Sequence, residues 1–496
     1  MPARLDTALQ SGWDAPPADD RFTLKLRPGR AVIQTTLGLI AGTIWYWRSL
    51  DFNSADWDLK WDAPSWRKKL FSTEAMRFDT NDFITNARDH SRVGGLYYLV
   101  GRANGLEMKA AFAFDLGASI VWEYMVEFKE LVSINDLIIN TQAGPAIGEP
   151  LLQVGTFFRR GRPTLINRVL AFVFSPFEWL NGWLDNRPWP GDDSTDEFGM
   201  TTERGHRFRL YLGGRAVNFQ PGVARNDTSL GVDLEVMMQK DYGRPGRWAG
   251  WLRSGALSRV TIGVSFADDA SQLGSVFRTQ TTVVGYYRQQ ITSDDATGAT
   301  SRDRRGYSLM LGNGARFDLE TRRLAAENDR LAVASLFGPQ LDWTVYANDI
   351  LFRWEVAAYG DFALVDSHAL GPETPPDPAP PLTGVLRAQG YYYAYGATGI
   401  TRARLDLGPW TFEAELRAHH FVSIDGASRV ESDLDAAFKD LTDDRLFAVG
   451  SLCFRPWRRS LGLTGFVEAV GRRGSRAAVS RSSRELSVGA ALLLQL

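Results

Sequence analysis

Residues 410–420 read WTFEAELRAHH, and this stretch decides the fold of the second half of the chain. From residue 410 to 419 its even positions are apolar and its odd positions are charged or polar: Trp410, Phe412, Ala414, Leu416 and Ala418 against Thr411, Glu413, Glu415, Arg417 and His419. Successive side chains of a β-strand point to opposite faces of its sheet. The stretch therefore predicts a strand with one apolar face and one charged face.

The same alternation recurs in about twelve segments after residue 205. We expect strands near 205–218, 229–241, 256–268, 275–291, 305–320, 328–338, 340–348, 350–364, 383–397, 400–422, 443–456 and 461–496, the last span holding two strands. Turn-like segments such as 268–274, 293–304 and 372–381 separate them. So many meandering strands favour a closed barrel, because closure removes the unpaired sheet edges.

Two interpretations of this sheet remain open. In a soluble sandwich or lipocalin-like barrel the apolar face would turn inward. In a transmembrane β-barrel it would turn to lipid, and a charged face would line the lumen. Strands of about 10 residues match a tilted membrane crossing. Aromatic residues gather near segment ends, as interfacial girdles require: Tyr286, Tyr287, Trp343, Trp354, Tyr391, Tyr392, Tyr393 and Trp457.

We therefore predict an antiparallel transmembrane β-barrel of about 12 strands. Its final strand ends the chain in LLLQL and resembles the closing strand of outer-membrane barrels, although the last residue is Leu496 rather than an aromatic. The predicted lumen-facing charges are Arg209, Asp233, Glu235, Arg353, Glu355, Glu413, Glu415 and Arg417.

Composition narrows the class of protein. The 496 residues carry a formal net charge of -2 and 12% aromatics, so neither a disordered chain nor a nucleic-acid-binding domain is indicated. A single cysteine, Cys453, excludes a disulfide framework and a Cys-rich metal site, and five histidines leave little room for a His-built zinc site. The mean hydropathy of -0.22 agrees with a membrane barrel, because apolar and polar residues alternate along its strands and the average hydropathy stays low.

The N-terminus conflicts with an envelope location. Residues 1–20 read MPARLDTALQSGWDAPPADD and lack the pattern of a signal peptide, so residues 1–25 are predicted to be a flexible leader. We expect an outer-membrane protein whose true precursor starts elsewhere; a cytoplasmic protein is the alternative. Residues 31–47 form the most apolar early segment, which favours a buried or interfacial helix over an inner-membrane span because Gln34 and three threonines dilute it.

The first half of the chain has helical periodicity. We assign residues 26–190 to a helical domain, 191–204 to a linker and 205–496 to the barrel, which gives an α+β multidomain chain. Ser133 is predicted to cap a helix with Asp136 at its third position, and Pro145 to break or kink that helix.

Ionisable side chains interrupt the apolar helical runs. His90, Glu123, Glu127, Asp136 and Glu149 are the candidate catalytic or ligand residues, with Glu123 and Glu127 on one helix face. Zinc-protease, ferritin-like and serine-hydrolase motifs are absent, so we predict neither a metal nor a cofactor. The alternative hypothesis is structural: buried ion pairs, caps and helix contacts, with Arg102, Asn104, Asn135 and Asn140 as further members.

Four motifs in the helical half resemble the bacterial family known as domain of unknown function 3943. They are FDTNDFITNARDHSRVGGLYYLVGRANG, GASIVWEYMVEF, SINDLIINTQAGPAIGEPLLQVG and INRVLAFVFSPFEWLNGWLD, between residues 78 and 185, roughly a fifth of the chain. The matching positions are Asn86, His90, Gly94, Tyr98, Arg102, Gly105, Trp122, Glu123, Glu127, Asn135, Asp136, Gly144, Gly148 and Glu149. Ser91 departs from the proline expected after His90. The resemblance implies an envelope protein with a β-rich region downstream and no established activity.

Three functions remain as hypotheses. The first is an outer-membrane barrel of structural or transport function, with the helical domain plugging or capping it and lipid as its partner. The second is an envelope enzyme acting on lipid or glycan through the His/Glu/Asp residues. The third is a soluble two-domain protein with a ligand-binding β-sandwich. We regard the enzyme as less favoured than the first, and the sequence identifies no protein partner.

Overall fold

The computed structural model describes residues 24–48, 57–220, 223–267, 272–293, 303–324, 327–367, 385, 389–424, 441–456, 460–476 and 479–496. Most of the predicted leader and Trp457 lie outside these residues. The helices of the first half are α1 (Pro28–Arg48), α2 (Ala63–Phe71), α3 (His90–Ala103), α4 (Met108–Val121), α5 (Ile134–Ala143), α6 (Glu149–Arg160), α7 (Leu165–Phe174) and α8 (Pro176–Leu184).

Three wide π-helical turns interrupt or extend these helices. Thr85–Asp89 leads into α3, Trp122–Val126 follows α4, and Gly144–Gly148 joins α5 to α6. Pro145 has no N–H to donate, and the chain accommodates it by widening one turn rather than by ending the helical path. The predicted break is thus a wide turn.

Thirteen strands follow among the described residues: β1 (Gly205–Gln220), β2 (Val223–Met237), β3 (Gly246–Leu252), β4 (Leu257–Phe266), β5 (Gln272–Ser293), β6 (Arg304–Leu324), β7 (Glu327–Ala347), β8 (Ile350–Asp366), β9 (Tyr392–Leu407), β10 (Trp410–Ser423), β11 (Thr442–Phe454), β12 (Leu461–Arg476) and β13 (Val479–Gln495). Every pairing between them is antiparallel, and each strand pairs with the next along the chain except around β3. β13 pairs with β1, which closes the ring.

The thirteen strands occupy twelve positions in the ring. β3 and β4 both pair with the same side of β5, β3 with residues 285–291 and β4 with residues 272–281. They therefore form one strand position, interrupted at residues 253–256. The prediction of an antiparallel barrel of about 12 strands is confirmed.

The two faces of the barrel differ in chemistry. Outward side chains on much of the wall are apolar and exposed, such as Leu212, Leu463 and Leu492 at 53%, 58% and 58%. Inward side chains are charged and buried, such as Arg417 and Asp318 at 3% and 1%. An apolar outer band around a polar interior is the pattern of a transmembrane β-barrel, and it excludes the inverted, soluble arrangement.

The helical domain packs against the outside of this barrel. One apolar contact joins Phe78, Phe83 and Ile139 to outward residues of β6–β9, among them Phe317 and Phe362. A second joins residues of α6 and α7, including Val154, Phe158 and Ala171, to Phe208, Leu234, Val236 and Val260, the outward side chains of β1, β2 and β4. The sequence led us to expect that the helices plug or cap the barrel. The described helices contact the wall from its outer side, because their apolar side chains pack on its apolar face.

Helix α1 joins the helical domain through polar contacts. Arg30 donates from Nη1 to Asp185 Oδ1 at 2.8 Å and from Nε to Asn104 Oδ1 at 2.7 Å. Its other face leaves Val32, Ile33 and Leu37 more than half exposed. None of the described helices is long and apolar enough to span a bilayer.

The aromatic residues expected in girdles fall into two groups. Tyr286, Trp343 and Trp354 point outward and are about two-fifths exposed, as a girdle requires. Tyr287, Tyr391, Tyr392 and Tyr393 are almost fully buried instead. The girdle expectation fails for these four, because Tyr287 and Tyr392 face the interior while Tyr391 and Tyr393 lie beneath the helical domain.

Candidate functional site

Five acidic or imidazole side chains come together in the helical domain: Asp79, His90, Glu123, Glu127 and Asp136, which we call the polar cluster. Potential ligand atoms of Asp79, His90 and Asp136 lie within 4.8 Å of one another, and so do those of Glu123, Glu127 and Asp136. Asp136 is common to both groups. Four of the five sequence candidates are thus brought together, and Asp79 joins them.

The local fold explains why these residues meet. Two short strands, Met76–Arg77 and Val132–Ser133, pair in parallel and bring the chain before Asp79 beside the start of α5. Ser133 caps α5, with its Oγ accepting from the backbone N–H of Asp136 at 3.3 Å. The wide turn after α4 directs Glu123 back to this point, where its Oε2 accepts from the Ser133 N–H at 2.9 Å.

Asn135 ties the two halves of the polar cluster together. Its Oδ1 accepts from the Asp79 backbone N–H at 2.9 Å. Its Nδ2 donates to Asp136 Oδ1 at 2.8 Å and to Asp79 Oδ1 at 3.2 Å. A single amide therefore fixes the orientation of both carboxylates, which gives this predicted structural residue a positioning function.

The barrel completes the surroundings of Asp79. Tyr393 donates from its hydroxyl to Asp79 Oδ1 at 2.9 Å. Asn86 donates from Nδ2 to the same oxygen at 2.6 Å and also contacts the hydroxyls of Tyr391 and Tyr393 at 2.8 and 2.7 Å. The cluster is therefore built partly from the helical domain and partly from the end of the barrel wall beneath it.

Burial controls the charge of the cluster. Glu123 and Asp136 are each 1% exposed. Burial raises the pKa of Glu123 to about 8 and holds the pKa of Asp136 and of Glu127 well above the ordinary carboxylate range. Burial also lowers the pKa of His90, so that its imidazole is neutral at pH 7. These groups retain or lose protons at pH values far from those of their exposed counterparts.

Two atoms of the cluster have no hydrogen-bond partner within the described residues: His90 Nε2 and Glu123 Oε1. His90 Nε2 lies 3.5 Å from Asp136 Oδ1, which is too long for a hydrogen bond. Since the imidazole is neutral, this contact is not an ion pair either. Imidazole nitrogens and carboxylate oxygens are the donors that hold divalent cations in proteins.

Lys69 is a buried cation whose charge acts on the polar cluster. Its Nζ donates to the backbone carbonyls of Glu127 and Glu130 at 2.7 and 2.8 Å. Burial lowers the pKa of Lys69 to about 8, against the attraction of Glu123 and Glu127. Its hydrogen bonds therefore fix the chain after α4 rather than neutralise one carboxylate of the cluster.

Glu149 is not part of the polar cluster. Its two oxygens accept from Arg102 Nε and Nη2 at 2.8 and 3.0 Å, from the Tyr98 hydroxyl at 2.7 Å and from Gln153 Nε2 at 2.7 Å. Burial opposes ionisation, but the Arg102 charge and these hydrogen bonds outweigh it and lower the pKa of Glu149. This pair has the geometry of a structural contact.

The other two predicted structural residues lie where helices meet. Asn104 accepts from Arg30 and donates from Nδ2 to Gln34 Oε1 at 2.7 Å, which ties α1 to the end of α3. Asn140 lies on α5 directly against Gly94 of α3, where a Cβ on the glycine would meet the Asn140 carbonyl oxygen at 2.0 Å. This contact requires glycine.

The interior of the barrel is the second concentration of charge. The eight predicted charges lie on its inner face, and ion pairs join strands across the lumen: Arg209–Glu413, Arg353–Glu235, Arg259–Glu355, Arg417–Asp318, Arg322–Glu468 and Arg472–Asp329. Arg322 and Glu468 belong to β6 and β12, on opposite sides of the ring. A cavity of about 430 Å³ remains among these side chains.

Sequence reasoning did not place Asp79, Asn86, Tyr391 and Tyr393 in the candidate site, although Asn86 is among the positions that match the family motif. Asp79 and Asn86 stand in the first motif, FDTNDFITNARD, but no spacing rule connects them to α5. The two tyrosines lie some 300 residues further along the chain, as the 305-residue separation of Asn86 and Tyr391 shows. The sequence signals were the family match at Asn86 and the run of three tyrosines, which suited a girdle as well as a contact.

Comparison with known proteins identifies a family in the helical half of the chain. A family described as domain of unknown function (DUF3943) matches residues 75–177, which include the whole polar cluster. No curated protein matches the chain. The family match confirms the resemblance carried by the helical motifs.

The barrel is similar to solved outer-membrane structures. The translocator domain of autotransporter NalP from Neisseria meningitidis is 12% identical, with 60% of this chain and 89% of that chain covered at a TM-score of 0.20. The outer membrane channel DcaP of Acinetobacter baumannii is 10% identical, with 60% and 98% covered at a TM-score of 0.23. At such TM-scores, the transmembrane assignment rests on strand pairing and on the chemistry of the two faces.

Proposed function

We propose that this protein is an outer-membrane barrel that anchors its helical domain against the lipid-facing side of the wall, in a structural role. The observation that carries this proposal is the apolar contact between the helices and the outward side chains of the barrel. A barrel that served only as a pore would have no need for this cover. Burial of apolar surface makes the attachment favourable, and polar contacts make it specific.

Polar contacts define how the helical domain sits on the wall. Thr279 of β5 donates from Oγ1 to the Ala146 carbonyl, in the wide turn before α6, at 2.6 Å. At the other end of the contact, the Tyr391 hydroxyl donates to the Asn81 carbonyl at 2.7 Å. Each bond joins a side chain of the barrel to a backbone carbonyl of the helical domain, so the two bonds fix the orientation of the domain.

The surface that the helical domain turns away from the barrel is also apolar. Leu165, Ile166 and Val173 of α7 are 78%, 67% and 59% exposed, and Trp183 of α8 is 66% exposed. A soluble domain rarely exposes contiguous apolar side chains of this size. Because the helical domain packs on the outward, apolar side of the wall, lipid is the partner that fits this surface.

The lumen supports a structural role over free diffusion. Guanidinium and carboxylate groups meet across the ring, and each removes space that a solute would need. Such pairs are buried, and breaking one leaves an uncompensated charge. We therefore expect no stable open-channel conductance from the intact protein in a planar bilayer.

Two measurements on the full-length chain test the proposal. We expect recovery in the outer-membrane fraction, with a heat-dependent shift in gel migration that is characteristic of a folded barrel. Spin labels then test the surface of the helical domain: with Cys453→Ala as background, Val169→Cys on α7 reports the proposed lipid side. Glu74→Cys, an exposed acidic position near α2, is the control.

The labels distinguish lipid from water directly. We expect oxygen to relax the label at residue 169 more than a water-soluble nickel complex does, and the reverse at residue 74. Equal access of the nickel complex to both positions would show that the helical surface is in water. Recovery of the folded chain in a soluble fraction would contradict the membrane location itself.

An envelope enzyme is the second candidate. It is favoured by one observation: Glu123 and Glu127 lie at a wide π-helical turn, and His90 directly follows another, a placement common at functional sites. A neutral imidazole beside carboxyl groups of raised pKa suits proton transfer to lipid or glycan. His90→Ala and Glu123→Ala test it: variants that fold normally but lose a cellular phenotype support a site, and variants that fail to accumulate indicate packing.

A further inference from the structure

Three buried carboxylates outside the polar cluster are neutralised by arginine, whereas Asp115 is buried without a hydrogen-bond partner among the described residues. Glu149 pairs with Arg102 at 2.8 Å, Glu178 with Arg159 at 2.5 Å and Asp192 with Arg160 at 3.1 Å. In the described part of the chain, Asp79, Glu123, Glu127 and Asp136 have no ion pair with any arginine or lysine. Four acidic groups packed together without such a partner either hold protons or share a bound cation.

We propose that the polar cluster binds a divalent transition-metal cation, Mn²⁺ or Zn²⁺, through His90 and the carboxylates that surround Asp136. The donor set of one imidazole and several carboxylates suits both cations. It does not suit soft metals, which prefer thiolate ligands. Asp136 belongs to both groups of potential ligands, so it is the central ligand of the proposed site.

The atoms without partners point to a missing ligand. Glu123 is 1% exposed, and its Oε1 has no hydrogen-bond partner within the described residues although Oε2 is held by Ser133. His90 Nε2 is also without one and faces Asp136 Oδ1. A neutral imidazole nitrogen and a carboxylate oxygen can both coordinate the same metal ion. A cation would satisfy these electron-rich atoms together.

The ligands are already oriented by a second layer of hydrogen bonds. Asn135 and Ser133 hold Asp136 and Glu123, while Asn86 and Tyr393 hold Asp79. Outer partners of this kind fix ligand geometry in metal sites and raise affinity by about 10–100-fold. Since Tyr393 belongs to the barrel wall, cation binding would also strengthen the attachment of the helical domain to the barrel.

Metal content of the purified full-length protein in detergent tests the site. The protein is stripped with a chelator, equilibrated separately with Mn²⁺ and with Zn²⁺, freed of excess metal and analysed by mass spectrometry. We expect at least one equivalent per chain of one of these ions. Asp136→Asn removes the shared ligand and is expected to weaken binding by tenfold or more.

The matched control is Asp115→Asn. Asp115 is also a fully buried carboxylate of the helical domain, but it belongs to neither group of ligands, so its variant should bind metal like the unchanged protein. Metal should raise the melting temperature of the unchanged protein and of Asp115→Asn, but not of Asp136→Asn. Glu123→Gln, which keeps size and shape, replaces Asp136→Asn should the latter fail to fold.

Two results of the metal analysis would contradict the proposed metal site. A folded protein that binds neither ion would overturn it. Binding of the same strength in Asp136→Asn and Glu123→Gln would also overturn it, since the metal would then lie elsewhere on the chain. These results leave the anchoring function untouched, because that proposal is tested by lipid access and membrane recovery rather than by metal content.

Discussion

At the scale of single residues, Asp115 shows how strongly this helical domain perturbs a carboxyl group. Asp115 is fully buried on α4, and neither of its oxygens has a hydrogen-bond partner within the described residues. Burial raises the pKa of Asp115 well above the ordinary range. The titratable neighbours that its charge would affect, Tyr97 and Tyr98, have pKa values raised by burial and stay neutral at physiological pH.

The raised pKa gives a signed pH dependence. Between the unfolded pKa of about 3.9 and the higher folded value, the folded state binds the proton that the unfolded state has lost. The contribution of Asp115 to the free energy of unfolding is therefore largest at acid pH and falls as pH rises through this window. Asp115→Asn, which keeps a neutral side chain at every pH, should flatten the decline between pH 5 and 8.

Urea unfolding of the helical domain in the full-length protein, followed by protease sensitivity at several pH values, measures this effect. We expect Asp115→Asn to have a higher midpoint than the unchanged protein at pH 8 and a similar midpoint at pH 4. Parallel pH profiles for the two proteins would show that Asp115 ionises in the folded state without cost.

The candidate residues illustrate what a sequence can and cannot reveal at this scale. His90, Glu123, Glu127 and Asp136 stood out because ionisable groups within apolar helical runs are unusual, and the structure brings all four together. Glu149 stood out for the same reason, yet it pairs with Arg102. Periodicity identifies buried polar groups but does not tell which of them share a partner, because that depends on how helices cross.

At the scale of elements, close helix contacts depend on glycine. Gly94 of α3 lies against α5, and a Cβ there would approach the Asn140 carbonyl oxygen to 2.0 Å. Backbone atoms cannot move aside as a flexible side chain can, so the helices would have to separate. Gly94→Ala should therefore lower the free energy of unfolding of the helical domain by about 1–3 kcal/mol or more.

Gly117→Ala is the matched control for this prediction. Gly117 also lies within a helix, but a Cβ there has nothing within 4 Å. Alanine is favoured over glycine in a helix by roughly 0.5–1 kcal/mol, so this variant should be slightly stabilised. The same urea and protease measurement applies, and equal midpoints for the two variants would contradict the close approach of α3 and α5.

The strands show where alternation succeeds and where it fails. The predicted segment 205–218 is β1 (Gly205–Gln220), and the span 461–496 does hold two strands. The predicted strands 328–338 and 340–348 are a single strand, β7, because an irregularity near Phe337 reverses the order of inward and outward side chains. β3 was missed because its sequence, GRWAGWL, does not alternate.

At the scale of the whole molecule, the helical domain could not have been placed from sequence. Alternation shows that strands have an apolar face, but it does not distinguish outward residues that meet lipid from those that meet helices. Phe317 and Phe362 follow the same pattern as the exposed Leu212 and Leu463. Only the packing of residues that are distant in sequence separates these two kinds of apolar surface.

The charged interior also belongs to this scale, because its pairs join strands that are distant in the ring. Arg472 of β12 is fully buried, and it donates from Nε to Asp329 of β7 at 2.7 Å and from Nη2 to Glu485 of β13 at 3.3 Å. Loss of one partner from a buried ion pair typically costs about 3–5 kcal/mol, since a charge remains in a low-dielectric place. Arg472 thus links β12 to β7 across the lumen by an ion pair.

Arg472→Met should lower the temperature at which the barrel loses its compact gel mobility, because the ion pairs with Asp329 and Glu485 are lost. Arg473→Met is the control: the neighbouring residue points to the other face and is exposed, so its loss should leave the temperature almost unchanged. Adding Asp329→Asn to Arg472→Met should recover part of the loss, because it removes a carboxylate left with fewer partners. Equal transition temperatures for Arg472→Met and Arg473→Met would mean that the cross-lumen ion pairs do not hold the barrel together.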